Sequence, residues 1–265
     1  MSDQSPNEFV IASSVRTEIV TRLAEDAAPT DELLDASAAS GSAVYDAVST
    51  LADRGILLEH GDTWELTAHG PVIAASSDQW QSTEAFLDAD PEYWKRHDAS
   101  VIPTKFRRRL PEIGDYEVVR SEPSHVTKHH EAALSRLRAA DNCLVLTPFF
   151  SLEYQAATPD VPETRMLVHR SAVDTRAQRL REGRPDAEDF DEAELRLTEC
   201  EFAMSVGEGF LNFGLPTQSG DPSKATVLSE TDAAVEWGRD LFQAKWDDSD
   251  PVEPYIAREH ADVWG

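Results

Sequence analysis

SGSAVYDAVSTLADRGILLEHGDTWELTAHG, residues 40–70, has the layout of a helix followed by a two-stranded hairpin. A Ser–Gly turn leads into a helix that sets Val44, Val48 and Leu51 on one face, at spacings of four and three. Gly55 stands where a helix ends on a left-handed residue. Two short apolar strands follow, residues 56–59 and 63–66, joined at His60-Gly61-Asp62, where glycine permits the tight turn. Thr67 is placed to cap the next helix. Together these are the recognition helix and wing of a winged helix-turn-helix, a fold used to read DNA.

The chain before this stretch supplies the rest of such a domain. Ile11, Val15, Ile19 and Leu23 repeat every four residues and predict a first helix reaching about residue 26. Pro29-Thr30 opens a short second helix with Thr30 or Asp31 as its cap and Leu33 and Leu34 facing inward. After the wing, residues 67–87 read as a longer helix ending near Asp88-Ala89-Asp90-Pro91, and the domain boundary is expected there. The expected division is 1–88 for the winged helix-turn-helix with its linker helix, 89–250 for a second domain, and 251–265 for an acidic, proline-bearing tail.

The second domain has a different rhythm. A helical stretch, residues 93–113, leads to a strand at 116–120, a helix at 124–140 and the most apolar strand of the chain at 143–150. A strand at 164–168 precedes an arginine-rich helix at 172–181. Four strand-like runs follow at 194–198, 202–206, 210–215 and 225–229, before an amphipathic helix at 232–246. Strand–helix alternation followed by a meander predicts an α/β layer with a mixed rather than purely parallel sheet. The fold class is therefore α+β / α/β, a winged helix-turn-helix followed by a mixed α/β sensor or dimerisation domain.

Charge stands against a DNA reader. Against 50 acidic residues the 265-residue chain has 24 basic ones, only 5 of them lysine, for a formal net charge of −26. Abundant acid with scarce lysine matches the surface of a halophilic protein. In multimolar salt the Debye length is about 3 Å or less, so like charges repel weakly and hydrated carboxylates provide solubility. The acid is spread along the chain rather than gathered into an arm for a basic partner. Residues 1–70 alone carry three arginines, no lysine and thirteen acids, a net of −10. Counterion release cannot drive such a domain onto double-stranded DNA. What remains is short-range: the helix N-terminus at Ser40, Gly41, Ser42 and Ala43, the side chains of Tyr45, Asp46 and Ser49, Arg54 at the helix end, and His60 and Thr63 of the wing.

Catalytic signatures are missing: there is no GxSxG, no P-loop and no HExxH. The glycines of GEGFLNFG, residues 207–214, lie between strands and predict a hairpin turn rather than a dinucleotide loop. His125, His129 and His130 invite a metal reading, but no third ligand stands out, and surface or capping roles are the plainer expectation. Lys105, Arg107, Arg108 and Arg109 form the densest basic run, read as a solvated helix face paired with local acids. Cys143 and Cys200 sit in apolar runs and read as buried free thiols. Neither a cofactor nor a metal is expected. Thr147, Phe149, Phe150 and Tyr154 follow the most apolar strand, at the end where ligands collect in open α/β sheets, and they are candidate pocket residues together with His169 and Arg170. No run approaches about 18 apolar residues and MSDQSPNEF lacks signal-peptide character, so a soluble cytoplasmic protein without a membrane partner is expected.

Five stretches, in this order, resemble one family: GILLEHGDTWELTAHG (55–70), IPTKFRRRLPEIGDYEVVRSEP (102–123), LRAADNCLVLTPFFSLEY (137–154), FAMSVGEGFLNFGL (202–215) and LSETDAAVEWGRDLFQAKW (228–246). The chain is similar to archaeal regulators that join a winged helix-turn-helix to a C-terminal methanogenesis-regulatory (filament-regulator) middle domain. The resemblance implies a transcription regulator whose second domain senses a signal or mediates dimerisation; the leading reading is a homodimer that binds promoter DNA, with a small-molecule effector as a further partner. Where such recognition helices carry arginine or lysine, this one offers Ser42, Tyr45, Asp46 and Ser49. The rival reading is a winged-helix protein-interaction module without sequence-specific DNA binding. A degenerate enzyme would need clustered catalytic groups in the second domain, and no such spacing is present.

Overall fold

The computed structural model describes residues 4–184, 186, 190–220 and 224–264. They divide into two compact units, residues 1–85 and 86–265. The first unit runs α1 (Pro6–Ile11), α2 (Ser14–Glu25), β1 (Ala28–Pro29), α3 (Thr30–Ala36), α4 (Gly41–Asp53), β2 (Leu57–His60), β3 (Thr63–Leu66) and the helix α5 (Gly70–Ala89), within which the boundary falls. Phe86 already belongs to the second unit, because its ring packs at 4.9 Å against both Trp94 and Tyr116.

The predicted first helix is two helices. Ser5-Pro6-Asn7-Glu8 is a capping box with proline at the first helical position, so a separate turn of helix starts there: Ser5 Oγ accepts from Glu8 N and Glu8 Oε2 accepts from Ser5 N at 2.9 Å. Ile19, Val20 and Leu23 of α2 meet Val44, Val48 and Leu51 of α4 in one buried cluster. The end of α4 follows from its sequence. Gly55 adopts φ 69°, its N–H bonds to Ala52 O at 2.8 Å and Ile56 N–H to Leu51 O at 2.9 Å, which closes a Schellman motif over two fully buried side chains. Gly61, at φ 64°, turns β2 into β3.

Three local expectations are corrected. The wing is a three-stranded sheet in the order β1-β3-β2, with Ala28 opposite Trp64 and Pro29 opposite Thr63; a two-residue strand leaves no periodicity to read. Neither Thr30 nor Asp31 caps α3, whose N-cap is Pro29; the Thr30 hydroxyl instead accepts the indole N–H of Trp64 at 2.9 Å. Thr67 does not cap the next helix. Its N–H and its hydroxyl both donate to Ile56 O, and α5 begins only at Gly70, which a side chain would drive to 2.6 Å from Leu66 Cβ.

The second unit opens with four short helical pieces where one stretch was expected: α6 (Pro91–Arg96), a 3-10 turn (Ala99–Val101) capped by Asp98, α7 (Thr104–Arg107), which Pro103 separates from that turn, and a second 3-10 turn (Leu110–Ile113). Then come β4 (Glu117–Arg120), α8 (Lys128–Ala139), β5 (Leu144–Thr147), α9 (Leu152–Ala157), β6 (Arg165–Val168), α10 (Arg170–Arg181), β7 (Glu194–Leu197), β8 (Ala203–Gly207), β9 (Phe210–Gly214), β10 (Ala225–Ser229), α11 (Asp232–Asp247), β11 (Asp250–Pro251), α12 (Glu253–Glu259) and α13 (Ala261–Trp264). The eight strands form one mixed sheet in the order β11-β7-β6-β5-β8-β9-β10-β4. Only β5, β6 and β7 run parallel, linked by the helical crossovers α9 and α10. Leu146, Leu167, Met204 and Phe213 face Trp237, Leu241 and Phe242 of α11, while Val145, Met166 and Val168 face Leu134 and Leu137 of α8. Alternation along each strand thus gives two cores, one on either side of the sheet. Within the expected acidic tail, 251–265, the described residues 251–264 contribute to the second core instead. β11 pairs with β7, and Val252 is buried with Tyr255 and Ile256 packed beside it. The apolar residues interleaved with the acids supply that anchoring.

Candidate nucleic-acid interface and candidate ligand cavity

The outward face of α4 is built from small polar side chains. Ser40 is the N-cap, its hydroxyl accepting from Ala43 N at 3.4 Å and standing 3.1 Å from Ser42 Oγ. Gly41 lies beside Leu34, where a Cβ would stand 3.4 Å from Leu34 Cδ2, an ordinary contact. Ser42, Tyr45, Asp46 and Ser49 are exposed on the side opposite Val44, Ala47, Val48 and Leu51, and Tyr45 is 59% exposed. Ala43 is half-buried at the edge of that face. On the wing, His60 pairs with Glu65 at 3.2 Å and Thr63 donates to His60 O at 3.0 Å.

Arg54, also in the candidate set, is exposed and makes contacts within the unit. Its guanidinium lies 3.9 Å from the centre of the Phe9 ring and donates to Gln4 O at 3.1 Å, so it is committed within the unit. Arg16 stacks on the same ring at 3.8 Å, and burial, followed by the neighbouring Arg54 charge, lowers its pKa. Arg22 pairs with Glu32. All three arginines of this unit therefore have internal partners, and the face offered by α4 carries hydroxyls, a phenol, a carboxylate and a helix N-terminus.

The second unit contains a cavity of about 700 Å³. Val145, Ser205, Asn212 and Thr226 line it from the sheet, His129, His130 and Leu137 from α8, and the segment following β5 from the side. Four of the six expected pocket residues are among the lining groups: Thr147, Phe149, Phe150 and Tyr154. Thr147 Oγ1 accepts Phe149 N–H and lies 2.9 Å from Phe149 O, which fixes the turn that carries the aromatics; Phe149 stands edge-on to Tyr154 at 5.9 Å. His169 and Arg170 are not lining residues. They stand where β6 passes into α10, and their side chains are used there: His169 Nδ1 accepts from Ser171 N and its Nε2 bonds to Glu199, while Arg170 lies over the Tyr255 ring at 5.8 Å.

Several lining groups lay outside the sequence-derived set. Ser205, Asn212 and Thr226 form a buried polar stripe across three adjacent strands, with Thr226 Oγ1 at 2.6 Å from Asn212 Oδ1. Their signal was a lone polar residue inside the apolar strands 203–207 and 210–214, and Thr226 beside Ser229 in the strand 225–229. Arg176, from the arginine-rich helix, binds Asp186 Oδ2 through Nε and Nη2 at 2.9 and 2.8 Å and lies 5.7 Å from the rings of Phe150 and Trp264. His129 and His130 also face the cavity, whereas His125 pairs outside it with Glu131 at 2.8 Å. Burial lowers the pKa of both cavity histidines and pushes the Tyr154 phenol up to about 12.

The remaining motifs have structural roles. GEGFLNFG forms the β8–β9 hairpin with Gly209 at φ 76°. Arg109 bridges Glu112 and Asp240 at 2.8 Å each. Cys143 and Cys200 are buried free thiols, pushed up to about 12 by burial. Among the described residues no group of three His, Cys, Asp or Glu side chains could hold a metal ion, and no helix is long and apolar enough to cross a membrane.

Fold and sites together define a two-unit chain, a winged helix with an exposed polar helix face and a mixed α/β unit with a cavity. Residues 126–248, which lie within the second unit, match the model of the middle domain of the methanogenesis regulatory protein FilR1. The match runs from the residues leading into α8 to the end of α11. The chain is also 24% identical over 215 residues to the methanogenesis regulatory protein FilR1 of Methanothrix harundinacea (strain 6Ac), across 76% of this chain and 47% of that protein. It thus spans about half the length of this curated relative. Among solved structures, TrmBL2, an archaeal chromatin protein, aligns over 90% of this chain and 93% of its own at 15% identity and a TM-score of 0.38. The mitomycin 7-O-methyltransferase MmcR aligns over 68% of this chain and 61% of its own at 15% identity and a TM-score of 0.25.

Proposed function

We propose that this chain is a DNA-binding transcription regulator that works as a homodimer in concentrated salt, with the second unit holding a small-molecule effector. The observation that carries the reading is the winged helix with α4 presenting Ser42, Tyr45, Asp46 and Ser49 outward beside a hairpin wing. A helix N-terminus and hydroxyls contact phosphates and base edges without arginine. Such contacts are individually modest, so two copies on paired half-sites supply the affinity that one reading helix lacks. Val72 and Trp80, 72% and 52% exposed on α5, support a surface for the second copy.

The test is to map the protein along the genome in its native salt and to measure binding to the recovered fragments. Discrete occupancy upstream of genes, reproduced with purified protein, is expected. A second reading, a winged helix that binds protein, is favoured by the internal use of Arg16, Arg22 and Arg54. Absence of discrete occupancy and of fragment binding in high salt would replace the first reading with the second.

A further inference from the structure

Two acids stand on α4, Asp46 and Asp53, and Asp53 ends the helix. Asp46 lies in the N-terminal half, the part of a reading helix that meets base edges. Ser42, Asp46 and Ser49, at spacings of four and three, share the exposed side with Tyr45, while Val44, Ala47, Val48 and Leu51 are buried behind them. The Asp46 carboxylate has no hydrogen bond and no ion pair among the described residues. Two neighbours of suitable chemistry are used elsewhere. Thr50, one turn on, donates its hydroxyl to the carbonyl oxygens of Asp46 and Ala47, at 2.9 and 3.1 Å. Arg16, the cation that interacts electrostatically with Asp46, is stacked on Phe9 instead of bonding to it.

An acceptor-only group thus occupies the middle of the outward face. The three hydroxyls around it donate or accept, and so suit several bases and phosphates alike. A carboxylate does not: phosphate oxygens and every acceptor on a base edge repel it. Brought into a groove it loses water, and that loss is recovered only where a donor meets it. The major groove has two such donors, the N4 amino group of cytosine and the N6 amino group of adenine. Adenine's amino group stands beside the N7 acceptor, which favours a side chain that both donates and accepts, as an amide does. Cytosine presents its amino group there with no acceptor of its own. The carboxylate is matched to cytosine.

We propose that Asp46 is the base-selecting residue of α4, its carboxylate accepting the N4 amino group of a cytosine at one fixed position of each half-site. The proposal rests on the reading of α4 as a DNA-recognition helix. It is tested on the full chain in molar potassium chloride, by fluorescence anisotropy with a recovered genomic fragment whose base pairs are replaced one at a time. In the unmodified protein one C·G pair in each half-site is expected to be required, any other base there costing about tenfold in affinity. Asp46→Ala is expected to lose discrimination at that position and to keep it elsewhere. Asp46→Asn is expected to move the preference there from cytosine to adenine, which an amide meets with both its donor and its acceptor. Both substitutions fall on an exposed side chain, and an unchanged circular dichroism spectrum is expected for each. Binding without a required cytosine, or the same cytosine requirement kept in either variant, overturns the role of Asp46 while leaving α4 as a reading helix. Failure of the unmodified chain to bind any recovered fragment overturns the DNA-reading itself, and the role of Asp46 with it.

Discussion

Tyr45 and Arg54 both belong to the segment that a reading helix should present, and they are used in opposite ways. Tyr45 is exposed, whereas the Arg54 guanidinium covers Phe9 and donates to Gln4. Tyr45→Ala and Ser42→Ala are therefore expected to weaken binding to a target fragment by about 1 kcal/mol or more each, with the circular dichroism spectrum unchanged. Arg54→Ala should instead lower the stability of the first unit by about 1 kcal/mol, the combined worth of an exposed cation–π contact and a hydrogen bond, and leave DNA affinity as it was. Thermal melts and fluorescence anisotropy on the same three variants separate the two effects. A larger loss of affinity in Arg54→Ala than in Tyr45→Ala would show that the reading face is assigned to the wrong residues. Charge type at Arg54 was legible in the sequence; its partner, in a helix 45 residues earlier, was not.

Elements were legible where a local rule fixes them. The period of α4, the glycines at positive φ that end it and turn the wing, and the strand 225–229 follow from spacing and turn chemistry alone. The capping box of α1 was equally local and equally readable. By contrast β1, a two-residue strand, exists because β3 is there to pair with it. Gly238 illustrates how packing overrides propensity within an element. In the middle of a helix, glycine costs about 1 kcal/mol relative to alanine, so Gly238→Ala should stabilise α11 if the helix stood alone. A Cβ at this position would lie 2.7 Å from Val206 Cγ2 and 2.8 Å from Leu211 Cδ1, both buried in the sheet. Overpacking of this kind costs about 1–3 kcal/mol, more than the helix gains. Gly238→Ala should therefore destabilise the second unit, by about 1 kcal/mol net, read as a lower urea midpoint at unchanged slope. A higher midpoint would mean that the sheet yields to the methyl group.

For the whole molecule the governing quantity is charge. The formal net charge of −26 is spread over the entire chain, and the three arginines of the first unit are paired internally. A basic repressor making six phosphate contacts loses about a thousandfold in affinity between 50 and 200 mM salt, through the counterions it releases. This chain has no such term to lose, and added cations screen its repulsion from DNA. Affinity for a target fragment is expected to hold or rise from low to molar potassium chloride; a steep fall in that titration would reveal a basic contact surface that the paired arginines do not provide. The sequence by itself determined the winged helix, the mixed sheet, the acidic surface and the aromatic segment after β5, because each depends on periodicity, turn residues or composition within a short window. Only the tertiary structure decided which cations are occupied, that Ser205, Asn212 and Thr226 share one face, and that His129 is buried beside the cavity. Those outcomes depend on strand register and on contacts between residues far apart in the chain, which no local pattern encodes.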